Sequence, residues 1–237
     1  MSEITLEEYI HTINNGLGYT CIGNYKKDFK CTLSGLCDKY GSDKGELSKD
    51  GHPYTWSSHT YADYYASLFR HCRKCIKNVF ECGLGTNNPN LQSSMGVHGV
   101  PGASLRVWRD YFPNANIFGA DIDRDILFKE DRIDTFYVDQ TDPKSISDLW
   151  RNIKVTEFDL MLDDGLHTFE AGKILFEHSI NNLSEEGIYI IEDVVPQDLL
   201  LFKNYFSEKD FKVDYISLMR PGLPILTDNN LVVIRKS

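Results

Sequence analysis

From Asn78 onward, short runs rich in β-branched and aromatic residues alternate with amphipathic stretches. The runs are Asn78 to Cys82, Ile117 to Asp121, Thr135 to Val138, Phe158 to Asp163, Gly187 to Glu192, Val213 to Ser217 and Leu231 to Arg235. Helical periodicity lies between them, near Ala103 to Phe112, Pro143 to Asn152, Thr168 to Asn182 and Gln197 to Phe206. This alternation predicts βαβ units: an α/β fold whose mostly parallel sheet of seven strands has helices on both faces. Phe158 to Leu162 and Ile188 to Ile191 are almost wholly apolar, as central strands buried on both faces should be. No long helix separates the last two runs, which predicts an antiparallel terminal strand. Residues 1–77 carry glycine and polar punctuation instead and read as a helical and loop-rich cap, leaving 78–237 as the sheet domain. Thr86 to Val100 breaks the pattern just after the first strand, and a loop of that length is usually functional or disordered.

Charge sharpens this division. Residues 1–80 hold 10 basic and 9 acidic side chains, whereas 81–237 hold 15 and 26, so the net charge of −10 resides in the sheet domain. An acidic sheet domain repels polyphosphate backbones and argues against nucleic acid as a partner, leaving a small molecule or carbohydrate. No run of about 18 apolar residues predicts a transmembrane segment. Met1 to Ile10, with three Glu and no Lys or Arg, does not read as a leader. Six cysteines without an export signal fit a reducing, cytoplasmic compartment. Cys72 and Cys75 have CxxC spacing but no second pair at zinc-ribbon distance, and read as small packed hydrophobes.

In open α/β sheets ligands bind beyond the C-terminal strand ends, so those residues carry the functional information. The first strand runs into Glu81-Cys82-Gly83-Leu84-Gly85, where two glycines permit a tight turn and close approach of a ligand. A dinucleotide fingerprint would add a third glycine opening a helix at once and an acidic residue ~20 positions on. Thr86-Asn87-Asn88-Pro89 follows instead, and the next strand ends only at Asp121. What remains is an ordered series: Glu81, then Asp121 with Asp123, then Asp139-Gln140. A carboxylate at a strand end can accept both hydrogen bonds of a ribose diol, and an acid next to an amide suits an adenine edge. Each of these residues, taken singly, can equally cap a turn.

The series E-x-G-x-G, strand-end Asp121, Asp139-Gln140 and Asp163-Asp164 resembles class I S-adenosylmethionine-dependent methyltransferases. Gly102-Ala103-Ser104-Leu105-Arg106-Val107-Trp108-Arg109-Asp110-Tyr111-Phe112-Pro113 narrows the resemblance, together with Gly119-Ala120-Asp121-Ile122-Asp123. They are similar to the metal-dependent sugar O-methyltransferases of macrolide tailoring and to related capsular-polysaccharide enzymes. Leu36-Cys37-Asp38-Lys39-Tyr40-Gly41-Ser42-Asp43-Lys44-Gly45 and His52-Pro53-Tyr54-Thr55 extend it, so that it covers about Leu36 to Val194. Leu166 departs from the pattern where a small Ser is expected. The resemblance implies a Rossmann-like fold with S-adenosyl-L-methionine held by Glu81, Gly83, Gly85, Ser104, Asp121, Asp139, Gln140 and Asp163.

If the fourth and fifth strands are adjacent, Asp164, Glu192 and Asp193 converge at one sheet edge. Carboxylates so placed cannot all stay ionised without a cation, and Mg²⁺ or another hard divalent ion suits an all-oxygen set. The resemblance implies those three residues as metal ligands and, beside Asp164, His167 as the general base. A bound cation acidifies a coordinated oxygen, and an imidazole titrating near 6.5 can then take a sugar hydroxyl proton. Asp163 faces either the cofactor's methionine part or the metal. His167 could instead make only backbone bonds near a helix start.

Acceptor recognition is expected from the cap and the Thr86 to Val100 loop. Tyr40, Lys44, His52, Tyr54 and Trp56 combine flat apolar faces with polar tips, and Arg220 on a C-terminal loop can meet a phosphate. The leading expectation is a metal-assisted sugar O-methyltransferase, as monomer or homo-oligomer. Competing readings are O-methylation of a catechol-like or phosphorylated acceptor, a nicotinamide-dependent oxidoreductase, and an idle binding protein on the same sheet.

Overall fold

The computed structural model describes residues 21–24, 31–46, 54, 56–219 and 226–237. Among these residues nine strands form one sheet: β1 (Cys21–Asn24), β2 (Asn78–Cys82), β3 (Asn116–Asp121), β4 (Lys129–Glu130), β5 (Ile133–Tyr137), β6 (Phe158–Asp163), β7 (Leu183–Ile191), β8 (Phe211–Met219) and β9 (Asn230–Lys236). Their order is β1-β8-β9-β7-β6-β2-β3-β5-β4. β7, β6, β2, β3 and β5 run parallel. β9 lies antiparallel between β7 and β8. All seven strands read from the hydrophobic pattern are present. The two additional ones are edges: β1, within the glycine-rich cap, and β4, whose two residues are too short to show any period.

Helices cover both faces. α1 (Thr32–Tyr40), α2 (Tyr61–Phe69) and α3 (Ala103–Tyr111) share a core with one face through Leu33, Tyr61, Tyr65, Leu105 and Trp108. α4 (Pro143–Ile153), α5 (Phe169–Ser179) and α6 (Pro196–Phe206) pack on the other through Ile146, Leu149, Phe176, Phe202 and Phe206. α4 starts as its sequence dictates: Asp142 accepts the Lys144 N–H at 2.9 Å and Pro143 fills the first turn, where its missing N–H costs nothing. The cap's helices therefore share a core with the sheet. The chain leaves β2 outward to β3 and β5, then returns to β6 on β2's other side, so the strand order switches between β2 and β6. A ligand is expected there. Cys72 and Cys75 lie in the turn after α2, half-buried and exposed, both as free thiols. Among the described residues no helix is long and apolar enough to cross a membrane.

Candidate functional site

A cavity of about 760 Å³ opens over the β2/β6 switch. That volume lies within the range of small-molecule sites. At one end it is lined by Asp121, Ile122, Val138, Asp139, Gln140 and Thr141; Gly83 to Thr86 and Ser104 form its middle. At the other end stand Asp164, His167, Glu192 and Asp193, joined by Asp43, Trp56, His59 and Asp228.

The middle depends on one close approach. Gly83 sits at φ +95°, and a Cβ there would fall 1.9 Å from the Asp164 carbonyl oxygen. Adjacent parallel strands are thereby drawn together where the cavity needs them. Gly83→Ala is expected to lower stability by about 3 kcal/mol, read as a lower denaturant midpoint; an unchanged midpoint would show that the turn tolerates a side chain.

Several strand-end residues act through one another. Asp121 accepts the Leu84 N–H at 2.7 Å and the Asp123 N–H at 2.8 Å, fixing the glycine turn from the next strand. Gln140 donates to Asp163 Oδ1 at 3.0 Å and accepts the Leu166 N–H at 2.8 Å, which braces the end of β6. Asp163 does not line the cavity, and burial raises its carboxyl to about 6. Glu81 lies beneath the cavity rather than in its wall, fully buried, with one oxygen bonded to the Trp108 indole N–H. Burial raises it to about 7, against the opposing Lys44 charge. Gly83, Gly85, Ser104, Asp121, Asp139 and Gln140 all reach the cavity, as read from the sequence.

The acidic end holds an internal cation. Lys44 is buried, and its ammonium lies 2.6 Å from Asp164 Oδ2, against Glu192 Oε2 and 3.7 Å from Glu81 Oε1. Burial alone would discharge this amine, but the three carboxylates hold it well above its usual value, so it stays charged. Glu192 has its second oxygen bonded to the Tyr65 hydroxyl. Each of its oxygens thus has one protein partner and keeps a further lone pair, and Glu192 lines the cavity. The groups that converge on open space are Asp164, His167 and Asp193, whose ligand atoms lie within 4.8 Å of one another. His167 Nε2 stands 3.4 Å from Asp164 Oδ1 and 3.7 Å from Asp193 Oδ2. Burial opposes its charge, yet Asp193 and Asp164 outweigh that and raise it to about 9. His167 and Asp193 both have left-handed backbones, φ +57° and +53°, which side chains other than Gly rarely adopt. Strain of that kind, placed on two facing residues, is what pre-organised sites carry.

The six acceptor candidates divide, and Trp56 lines the cavity. Lys44 reaches the cavity as the cluster's own counter-ion. Tyr40 does not reach it: its hydroxyl bonds Asp110 and accepts from Arg109 at 3.1 Å, within a surface ion network. Tyr54 is buried with its hydroxyl on the Gly41 carbonyl and its ring stacked on Trp56, and so braces a loop. His52 and Arg220 lie outside the described residues. The 86–100 loop is stitched by Met95 N–H to Thr86 O at 2.8 Å and Asn87 to Gly99 O at 3.0 Å; His98 is exposed and away from the cavity. Asp43, His59 and Asp228 are additional site residues. Only Asp43 had a signal in the sequence, since it precedes Lys44 in the Ser42-Asp43-Lys44-Gly45 run; a single His before a helix and a single Asp in a turn have none.

No family model matches the chain. It is 31% identical over 162 residues, 68% of its length, to the 8-demethyl-8-alpha-L-rhamnosyl tetracenomycin-C 2'-O-methyltransferase of Streptomyces olivaceus. It is 30% identical over 165 residues, 69% of its length, to the demethylmacrocin O-methyltransferase of Streptomyces fradiae. The chain spans 37% and 39% of those two relatives. Among solved structures it is similar in fold to the MycE methyltransferase of the mycinamycin biosynthetic pathway, solved with Mg and SAH. The TM-score is 0.60 at 23% identity, covering 88% of this chain and 55% of that one.

Proposed function

We propose, because this chain is a relative of the macrolide- and tetracenomycin-tailoring sugar O-methyltransferases and has the class I methyltransferase fold, that it transfers a methyl group from S-adenosylmethionine to a sugar hydroxyl. What carries this reading is the continuity of the cavity. A glycine turn with Asp121 and Asp139 at one end, where a nucleoside fits, opens directly onto Asp164, His167 and Asp193 at the other. A bound methyl donor and an acceptor hydroxyl would face each other across it, and holding two reactants in line is the main work of such a transfer.

Asp164 and Asp193 would hold a divalent ion beside His167, since their oxygens and its imidazole already converge. The ion would lower the proton affinity of an acceptor oxygen. Glu192, which lines the same end of the cavity, would be the third ligand, and it also fixes Lys44, which in turn fixes Asp164. His167 is placed to take the acceptor proton. The nucleoside end would be contacted by Gly83, Gly85, Ser104, Asp121, Asp139 and Gln140, with Asp163 bracing Gln140 from behind. We further assign residues 1–77 as the acceptor-side cap, the setting as glycoside or surface-polysaccharide tailoring, and the location as cytoplasmic. The described cysteines, all free, support the last. The acidic balance supports a carbohydrate rather than a nucleic acid as partner, whether the enzyme acts alone or as a homo-oligomer.

Purified protein is expected to bind S-adenosylhomocysteine in a calorimetric titration, and no heat at millimolar ligand would end this reading. EDTA-treated enzyme, screened against glycosides by S-adenosylhomocysteine release, should lose turnover and regain it with Mg²⁺. Turnover untouched by EDTA would remove Asp164 and Asp193 from the metal role.

A further inference from the structure

Asp193 is approached from both sides by a histidine. Its Oδ2 faces His167; its Oδ1 accepts the Tyr61 hydroxyl at 2.7 Å and lies 3.6 Å from His59 Nε2. His59 lines the cavity, yet only 6% of its surface is exposed, and its ring is fixed from every other direction. Its Nδ1 stands 3.3 Å from Asp43 Oδ2, the oxygen that also accepts the Trp56 indole N–H at 2.8 Å. Its backbone N–H donates to the Asp43 carbonyl at 2.9 Å, and its ring stacks on Tyr61 at 5.3 Å. The next residue, Thr60, has φ +62°, so a strained turn sets the imidazole's direction. What remains is Nε2, 3.6 Å from Asp193 Oδ1 and 3.8 Å from Asp228 Oδ1. Both separations are too long for a good hydrogen bond. One hydroxyl oxygen between them would shorten every contact: it meets the imidazole and donates its proton to a carboxylate.

We propose that His59, oriented by Asp43, is a specificity-determining residue that reads a second acceptor hydroxyl, the neighbour of the one methylated beside His167. The inference rests on the sugar O-methyltransferase reading and adds to it that the acceptor presents two adjacent hydroxyls. His167 and His59 serve opposite oxygens of one carboxylate, so the two hydroxyls are held side by side. A hydroxyl missing from the acceptor would leave the buried His59 and Asp193 side chains facing an unfilled polar gap, which costs binding free energy.

The probes are methyl α-L-rhamnoside and its 2-deoxy and 3-deoxy analogues, with turnover read as S-adenosylhomocysteine release. Binding is read independently, by saturation-transfer NMR with S-adenosylhomocysteine present. Wild-type enzyme should favour the diol over the better deoxy analogue by ~10-fold or more. In His59→Gln the ratio should collapse toward one, the diol losing more rate than either deoxy analogue. Asp43→Asn, which keeps the ring but weakens the hold on its orientation, should give an intermediate ratio. An unchanged ratio in both variants overturns the inference alone, and so does an equal loss on all three probes, which would make His59 a structural brace. Wild-type enzyme that binds S-adenosylhomocysteine but neither binds nor methylates any of the three defeats the sugar reading and this inference together.

Discussion

Lys44→Met is expected to lower the melting temperature by about 10 °C, the largest stability change of any single substitution proposed for this protein. Lys44 Nζ is the cation shared by Glu81, Asp164 and Glu192, and it is almost completely buried. Removing one partner of a buried ion cluster typically costs 3–5 kcal/mol, because the remaining charges are stranded without water. In a domain of this size each kcal/mol is worth roughly 2–4 °C. The sign of the pH dependence follows from the carboxylates. Glu81 already sits near 7 with Lys44 beside it, and loss of the ammonium raises it further. A carboxyl raised in the fold favours the protonated state, so the variant should be least impaired near pH 5 and lose stability progressively as pH rises to 8. Divalent cation at millimolar concentration should restore more stability to Lys44→Met than to wild type, since the variant's acid cluster has greater need of charge. A melting temperature within 2 °C of wild type across this range would show that the cluster is not held by Lys44.

What the sequence disclosed and what it withheld have different physical origins. Alternation of apolar runs and amphipathic stretches is a direct consequence of burial, so all seven longer strands and the four helices between them were legible from Asn78 onward. β1 and β4 were not, because four and two residues at sheet edges bury too little to leave a pattern. The strand-end glycines and acids were legible because the C-terminal ends of parallel strands are where such a sheet binds. Which partners each carboxylate finds was not. Glu192 looked equivalent to Asp193 in the chain, yet it bonds Lys44, 148 positions earlier, and Tyr65, whereas Asp193 bonds Tyr61. The same blindness applies to His59 and Asp228. They meet only because α2 and the turn before β9 are both folded against the end of β7, where Tyr61 bonds both Asp193 and the Asp228 carbonyl. Tyr40 and Tyr54 failed as acceptor residues for the converse reason: an amphipathic side chain near a motif is as useful for bracing a loop as for meeting a sugar.

His167→Ala should reduce kcat by ~10²-fold or more while leaving S-adenosylhomocysteine affinity within about 3-fold, the signature of a lost proton acceptor rather than a lost binding contact. Its placement supports so specific an outcome. A Cβ at Gly165 would lie 2.0 Å from Gln140 Oε1 and push aside the side chain that braces the end of β6, and Thr168 caps α5. His167 is therefore pinned between a braced strand end and a helix start. Its imidazole points at Asp164 and Asp193 from a left-handed backbone that those neighbours must stabilise. The carboxylates raise its proton affinity, a divalent ion held on them would lower it again, and in either case a base at this position works better as pH rises and the imidazolium gives up its proton. Wild-type turnover should accordingly climb with pH through the neutral range, and His167→Ala should lose that limb together with the rate. His167→Gln should not rescue, because an amide can accept a hydrogen bond but cannot carry away the proton. A kcat within 3-fold of wild type, or an unchanged pH limb in either variant, would assign the proton to another group, and His59, on the other oxygen of Asp193, would be the residue to test next.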